Sequence, residues 1–212
     1  MQQNKKVVLL LSGGIDSTVL LYWLNARNYE IFPIIINYGQ ITYEGEKTHA
    51  IDVLSDLDIN DLYSINVPQL SKLGSGSLIG EYPNEVISDN EWHDIEFFPN
   101  RNLIMLILAS SYAYKINADN LAIGVVGKSY KDTSLKFVNS FKNCIGISLK
   151  PFNIIAPFAD KEREEVIKHA IKLTVPLQKT FSCNSLSDRH CQLCNSCYER
   201  ELAFKMIREN LL

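Results

Sequence analysis

The sequence predicts a single α/β domain, built on a doubly wound, mostly parallel β-sheet with helices on both faces. Three observations predict this class. Short apolar runs alternate with segments of helical periodicity, which is the order of a parallel sheet joined by crossover helices. A length of 212 residues suffices for one such domain but is short for two. Hydrophobic residues make up 46% and charged residues 21% of the chain, which is typical of a folded protein.

Four strands are predicted from short runs rich in valine, isoleucine and leucine. They span residues 7–11, 30–36, 62–67 and 121–125. Apolar residues that recur every three or four positions predict helices over residues 16–28, 47–57, 102–115, 135–144 and 161–173. The helix at 102–115 is so apolar that we expect it to be covered on most sides.

Two parts of the chain lack such patterns. Residues 68–98 are irregular and are predicted to form a long functional loop. The chain from about residue 181 carries four cysteines and ends in a short predicted helix. The loops after Leu11, Ile36 and Val125 are expected to gather at one edge of the sheet, because such sheets bind ligands beyond the carboxyl ends of their strands.

The overall charge excludes some classes of partner. A net charge of −3 gives no basic field that would attract nucleic acid or an anionic membrane, so any anion must be held locally. The apolar run near the N-terminus is too short for a secretory signal, and no stretch approaches the roughly 20 apolar residues of a membrane span. We therefore expect a cytoplasmic protein, whose cysteines serve metal binding or catalysis before disulfides.

The sequence Ser12-Gly13-Gly14-Ile15-Asp16-Ser17 connects the first predicted strand to the first helix. Two glycines let the backbone turn tightly, and N–H groups at a helix start attract an anion. The string lacks the lysine of a Walker A loop and the third glycine of a dinucleotide-binding loop. We interpret it as a phosphate-binding loop, the alternative being a plain glycine turn. Asp16 is predicted to cap the helix or to bind a Mg²⁺ that bridges it to the phosphates.

Four cysteines lie close together near the C-terminus. Cys183, Cys191, Cys194 and Cys197 have the spacing Cys-x7-Cys-x2-Cys-x2-Cys. Four thiolates can close a tetrahedral Zn²⁺ site with no open position, so the predicted role is structural. An iron–sulfur cluster is the alternative, since its cysteines can be similarly spaced. The fifth cysteine, Cys144, lies on an apolar helical stretch and is predicted to be a buried core thiol.

The phosphate loop carries a first resemblance. Ser-Gly-Gly-x-Asp-Ser after the first strand is similar to the pyrophosphate loop of the N-type ATP pyrophosphatase superfamily. This implies an adenine nucleotide α-hydrolase-like fold and an enzyme that splits ATP between its α- and β-phosphates, forming an adenylate that a nucleophile then attacks. The implied ATP-binding residues are Leu11, Ser12, Gly13, Gly14, Ile15, Asp16, Ser17 and Thr18.

Further motifs narrow the resemblance. Tyr38-Gly39-Gln40 follows the second strand, and Pro99-Asn100-Arg101-Asn102 opens the third helix. Thr180-Phe-Ser-Cys183 leads into the cysteine cluster. In this combination and order the chain resembles the 7-cyano-7-deazaguanine synthase family over nearly its whole length.

This family resemblance implies an activity. 7-Carboxy-7-deazaguanine and ammonia would give the nitrile, through an adenylated carboxylate and an amide, as a step in queuosine biosynthesis. The implied cofactors are ATP with Mg²⁺ and a structural Zn²⁺, and the implied assembly is a homodimer. The implied layout is an ATP-binding domain over residues 1–180, with a zinc element over 181–212 packed on it.

Site residues follow from the same resemblance and from the loops that meet at the sheet edge. The predicted catalytic residues are Asp16, Arg101 and Lys161. The predicted substrate-binding residues are Tyr38, Gln40, Arg101, Gly124 and Asp132.

The chain departs from the family pattern in places, and other hypotheses follow from this. Ile41-Thr42 replace Arg-His, Gln192 replaces a glycine, and the loop at 128–134 lacks the family's proline, cysteine and arginine. A relative could therefore pass the activated carboxylate to another amine, for example on a protein. A tRNA-thiolating enzyme is a further hypothesis, against which the net charge and the clustering of the cysteines argue. A non-catalytic module that senses ATP is the hypothesis that the intact loop supports least.

Overall fold

A computed structural model describes residues 5–80, 98–127, 130–186 and 188–210. Within these residues, five strands form one fully parallel sheet in the order β3-β2-β1-β4-β5. The strands are β1 (Lys6–Leu10), β2 (Glu30–Asn37), β3 (Tyr63–Asn66), β4 (Asn120–Ile123) and β5 (Asn153–Ile155). The helices are α1 (Ile15–Asn25), α2 (Tyr43–Ser55), α3 (Arg101–Lys115), α4 (Leu135–Ser148), α5 (Arg163–Lys172) and α6 (Asn195–Asn210). The predicted fold class is confirmed.

The sheet separates two hydrophobic cores. The side chains of the central strand β1 alternate between them, as the pleat of a strand requires. Val7 and Leu9 pack against α1, α2, α5 and α6 on one face. Val8 packs with α3 and α4 on the other face. All three side chains are fully buried, which explains why β1 is an unbroken apolar run in the sequence.

The strand order reverses next to β1. The chain proceeds from β1 outward to β2 and β3, and then returns to place β4 and β5 on the opposite side of β1. The loops after β1 and β4 therefore diverge to opposite faces of the sheet and leave a crevice between them.

Several predicted boundaries need correction. Strand β5 is not predicted from the sequence, and the closing helix α6 has 16 residues although a short helix is predicted there. The expectation that α3 is covered on most sides fails on one face, where Ile107 and Tyr114 are about half exposed. The fifth predicted helix starts at Arg163, two residues later than expected.

Part of the predicted long loop can be described. Residues 68–80 form two 3₁₀ helices, Pro68–Leu73 and Gly76–Ile79. Residues 81–97 lie outside the described residues, so the proposed function of this loop stays a prediction, as does the division of the chain at residue 180. Among the helices that the structure describes, none is long and apolar enough to cross a membrane.

Candidate active site

A cleft of about 720 Å³ opens beyond the carboxyl ends of the strands, where their order reverses. Its walls come from the loops after β1, β2 and β4, from the first turns of α3 and α5, and from the segment that leads into α6. The phosphate loop lies at one end, and Tyr38, Arg101 and Asp132 contribute to the lining. The predicted meeting of the three loops at one sheet edge is confirmed.

The backbone of the phosphate loop turns at Gly13, whose φ of 72° lies in the left-handed region. A Cβ at this position would lie 2.6 Å from the carbonyl oxygen of Glu46 and 2.8 Å from the nitrogen of Ala50, so no side chain fits against α2. Gly14 precedes α1 in an extended conformation and is its N-cap residue. Asp16 lies in the first turn of α1, which corrects the prediction that it caps the helix.

Two hydroxyl groups close the phosphate loop around the start of α1. The oxygens of Ser12 and Ser17 lie 3.2 Å apart, and the Gly14 N–H donates to Ser12 Oγ at 3.4 Å. These bonds are longer than the usual 2.7–3.0 Å or so, and the loop sits at the positive end of the helix dipole. Phosphate oxygens could replace them without a large change in the loop.

An ion-paired arginine faces the phosphate loop from α5. Arg163 Nη1 donates to Asp16 Oδ1, and its Nε lies 3.8 Å from Glu199 Oε2. The Nε is buried and has no hydrogen-bond partner among the described residues. Burial raises the pKa of Asp16, and the charge of Arg163 opposes this effect. Both side chains remain about a quarter exposed toward the cleft, where an anion or a divalent cation could reach them.

Arg163 is not among the residues predicted from the sequence, whereas its neighbour Lys161 is. Lys161 is half exposed, its ammonium lies 2.9 Å from Glu165 Oε2, and it does not line the cleft. Arg163 is the first residue of α5 and projects from the helix start into the site. Both residues follow the same run, 152–158, which contains β5, so the sequence offers no signal that selects Arg163 over Lys161.

Arg101, at the start of α3, lies among polar groups on another wall of the cleft. It is within electrostatic range of Tyr38, Glu46 and Asp132. Tyr38 is buried and packs edge-on against Phe98, with ring centroids 5.2 Å apart. Burial raises the pKa of Tyr38 to about 12, so its hydroxyl stays protonated and can donate a hydrogen bond.

Both polar atoms of the Gln40 side chain have hydrogen-bond partners within the protein. Its Nε2 donates to the carbonyl of Ile36 at 3.0 Å and to Glu46 Oε2 at 3.0 Å. Its Oε1 accepts from the Tyr38 N–H at 2.9 Å. The second oxygen of Glu46 accepts from Thr42 at 2.6 Å. Gln40 therefore shapes the turn after β2 and also lines the cleft, so its role in binding substrate stays a prediction.

Burial raises the pKa of the Glu46 carboxyl above its ordinary value of about 4.5, although Thr42, Gln40 and Arg101 oppose the shift. The folded protein then holds the Glu46 proton more tightly than the unfolded chain does. The contribution of this carboxyl group to the free energy of unfolding therefore falls as the pH rises above about 4.5. Glu46→Gln stays neutral, and its stability relative to wild type should increase between about pH 4 and about pH 8. Urea unfolding of both proteins checks this; a difference that is constant with pH would contradict the raised pKa.

The remaining predicted residues occupy different environments. Gly124 lines the cleft, and a Cβ there would lie 2.9 Å from the backbone of Ser17, so its small size lets β4 meet α1. Asp132 also lines the cleft, on a loop held by a 3.2 Å bond from Asn102 Nδ2 to its carbonyl oxygen. Thr18 is fully buried and does not reach the cleft, which makes a direct role in binding ATP untenable for its side chain.

The four C-terminal cysteines form a second centre beside the cleft. Their sulfur atoms all lie within 4.8 Å of one another, and those of Cys191 and Cys197 are 3.9 Å apart. A tetrahedral Zn²⁺ with bonds of about 2.3 Å separates its sulfurs by about 3.8 Å, so the arrangement fits such an ion. Three backbone N–H groups point at Cys183 Sγ from 3.3–3.4 Å, as suits a thiolate ligand.

Cys144 belongs to neither centre. It is exposed on α4, so the prediction of a buried core thiol is wrong. The buried face of that helix is formed by Val138, Phe141 and Ile145, and Cys144 lies beside this stripe.

Comparison with known proteins relates the whole chain to one family. A model of the family described as "Queuosine biosynthesis protein QueC" matches residues 6–208. The chain is 54% identical over 204 residues to 7-cyano-7-deazaguanine synthase 1 of Desulfitobacterium hafniense (strain Y51), an alignment that covers 96% of this chain and 93% of that protein. It is 31% identical over 208 residues to the 7-cyano-7-deazaguanine synthase of Nautilia profundicola, covering 95% and 94% of the two chains.

A solved structure supports the fold. A 4-thiouridine synthetase in complex with RNA and bound ATP superimposes with a TM-score of 0.53 at 20% identity. The match covers 95% of this chain but only 53% of that one. At this level of identity the likeness extends to the fold and to nothing further.

Proposed function

Because the chain belongs to the QueC family of queuosine biosynthesis proteins, we infer that it is an ATP-dependent ligase that makes 7-cyano-7-deazaguanine from 7-carboxy-7-deazaguanine. The observation that carries this proposal is the cleft itself. It holds a complete phosphate loop, and Arg101 stands on a separate wall. Such a cleft can bring the α-phosphate of ATP and a carboxylate face to face.

The phosphate loop and α5 form the nucleotide end of the site. The Gly14 N–H, the hydroxyls of Ser12 and Ser17 and the guanidinium of Arg163 bind the phosphates. The carboxylate of Asp16 faces the same space and is an oxygen ligand of the kind that Mg²⁺ prefers. When bound, Mg²⁺ supplies neutralising charge on the phosphates.

Arg101 orients the acid for attack on ATP. It pairs with the substrate carboxylate and directs one carboxylate oxygen toward the α-phosphorus. That oxygen bonds to phosphorus as the bond to the β-phosphate oxygen breaks, and pyrophosphate leaves. Arg163, together with the loop N–H groups, stabilises the charge that develops on the leaving phosphates.

Two rounds of this activation account for the product. Ammonia attacks the acyl carbon of the first adenylate, and AMP leaves with one carboxylate oxygen while ammonia loses a proton. The amide oxygen is then adenylated in the same way, and the amide nitrogen gives up one of its two protons. Loss of AMP with the second oxygen, and of the remaining N–H proton, gives the nitrile. A nitrile retains neither carboxylate oxygen, so each oxygen must depart on a separate AMP.

Three finer assignments belong to the same proposal. The four cysteines bind Zn²⁺, since they form a closed set of soft ligands without an open position. The enzyme works in the cytoplasm, where a reducing environment keeps these thiols available to the metal. It acts as a homodimer on free ammonia, as the family resemblance implies.

Mass spectrometry of products tests the proposed function. The purified protein is incubated with ATP, Mg²⁺, 7-carboxy-7-deazaguanine and ammonium. We expect the nitrile together with AMP and pyrophosphate. An adenylate that accumulates without amide or nitrile would overturn the proposal and indicate another amine as the acceptor. An amide that accumulates without nitrile would overturn it by showing that the second activation does not occur, and no consumption of ATP would indicate a different substrate.

A further inference from the structure

A short segment connects the cysteine centre to the phosphate loop. We call residues 177–183 the connecting segment; it begins with the 3₁₀ helix Leu177–Lys179 and ends at the proposed metal ligand Cys183. Midway along it, the N–H of Phe181 donates to the carbonyl oxygen of Gly13 at 2.9 Å. The residue that contacts the phosphate loop thus lies only two positions before the proposed metal ligand Cys183.

The bond from Phe181 sets the direction of one peptide group. In a planar trans peptide the C=O and the following N–H point in opposite directions. The Gly13 carbonyl is turned toward Phe181, so the Gly14 N–H is turned the other way, toward Ser12 Oγ and the centre of the loop. Without the bond from Phe181, this peptide group could turn more easily, because glycine adopts left-handed and right-handed backbone conformations about equally readily.

Two histidines hold the ring of Phe181. His49 of α2 stacks on it with a centroid distance of 5.3 Å and an interplanar angle of 13°. His190 packs on it at 5.1 Å and accepts a 3.2 Å hydrogen bond from the N–H of Ser182. His190 is adjacent in sequence to the proposed metal ligand Cys191. When the four cysteines hold a metal ion, the position of Cys191 therefore also places the neighbouring His190 ring against Phe181.

A third attachment comes from α6, the helix that carries Cys197. Arg200 donates to Thr180 Oγ1 at 2.6 Å and to the carbonyl of Leu177 at 3.2 Å. Thr180 is fully buried and Phe181 is nearly so. Both ends of the connecting segment are therefore tied to the elements that bear the four cysteines.

We infer that the cysteine centre is part of the ATP site, with Phe181 and His190 as positioning residues that hold the Gly13–Gly14 peptide ready for phosphate. This inference rests on the proposed function in taking ATP as the ligand. Metal and nucleotide then bind cooperatively through a segment in which Phe181 lines the cleft and Cys183 is a proposed metal ligand. Since such coupling is reciprocal, nucleotide must strengthen the equilibrium binding of the metal by the same factor by which the metal strengthens the binding of nucleotide.

The coupling is measurable on the unmodified protein. Zinc-loaded protein is titrated to equilibrium with the chromogenic chelator 4-(2-pyridylazo)resorcinol, with or without a saturating amount of α,β-methylene-ATP and excess Mg²⁺. We expect the non-cleavable analogue to raise the affinity of the protein for zinc about tenfold, in the usual range of coupling energies. Equal zinc affinities with and without the analogue would overturn the inference. Failure of the analogue to bind the zinc-loaded protein in calorimetry would instead refute the proposed ATP site, and the inference with it.

A variant isolates the role of His190. His190→Ala keeps all four cysteines but removes both the packing on Phe181 and the acceptor for Ser182. We expect it to bind stoichiometric zinc and to bind α,β-methylene-ATP about tenfold more weakly. Arg189→Ala is the matched control, since Arg189 is the exposed neighbour of His190 and forms a 3.8 Å ion pair with Asp188 on the surface. Unchanged nucleotide affinity in zinc-loaded His190→Ala, or an equal loss in Arg189→Ala, would contradict the positioning role.

Discussion

Replacing Arg163 by alanine is expected to lower kcat/KM for ATP by about 100-fold, comparable to the loss of one donor to developing charge in other enzymes. The guanidinium pairs with Asp16 and projects from α5 toward the phosphate loop. Its removal takes away a positive charge from the leaving phosphates and leaves the Asp16 carboxylate without its partner. Release of pyrophosphate at varied ATP concentration, in the presence of excess 7-carboxy-7-deazaguanine, measures the effect.

Two variants of the same region sharpen this result. Lys168→Ala is the matched control, because Lys168 lies on α5 and pairs with Glu164 on the exposed surface. It should change kcat/KM by less than about twofold, as surface pairs of this kind contribute little. Lys161→Ala decides between the two candidate cations, and we expect a similarly small change. A large loss in Lys161→Ala with activity kept in Arg163→Ala would restore the assignment made from sequence.

Replacing Cys194 by alanine is expected to abolish stoichiometric metal binding and to lower the melting temperature by on the order of 10 °C. Cys194 is nearly fully buried in the cluster, and a structural Zn²⁺ contributes its binding energy to folding. Elemental analysis and thermal unfolding monitored by circular dichroism measure the two effects. Because Zn²⁺ has a filled d shell, the wild-type protein should also be colourless, whereas an iron–sulfur cluster would absorb visible light.

Cys144→Ser provides the control for that experiment. Cys144 is exposed on α4, away from the cluster, so metal content and melting temperature should be unchanged. Retention of stoichiometric metal in Cys194→Ala, or an equal loss of metal in Cys144→Ser, would contradict the assignment of the four ligands.

Local patterns predicted most of the sheet and both chemical centres. The strands β1 and β2 each contain a run of at least four apolar residues, and the phosphate loop follows β1 closely in the sequence. The spacing of the four cysteines was sufficient to predict a compact cluster. Strand β5 was missed because it has only three residues, too few to show a period and close to the apolar residues that follow it.

Properties that depend on contacts between distant segments were not predictable. Nothing local in the sequence distinguishes Arg163, which enters the site, from Lys161, which pairs on the surface. The engagement of Gln40 by Glu46 depends on how α2 packs beside the turn after β2. The bond from Phe181 to Gly13 joins residues 168 positions apart, so the link between the two centres could only be found in three dimensions.

The transfer of labelled oxygen from substrate to AMP tests the central claim most directly. The substrate is 7-carboxy-7-deazaguanine with ¹⁸O at both carboxylate oxygens, supplied with ATP, Mg²⁺ and ammonium. We predict two AMP molecules for each nitrile, each carrying one ¹⁸O, because both oxygens leave as part of the adenylate leaving group. Unlabelled AMP, or ADP and phosphate in place of AMP and pyrophosphate, would show that the carboxylate is not activated as an adenylate and would contradict the account.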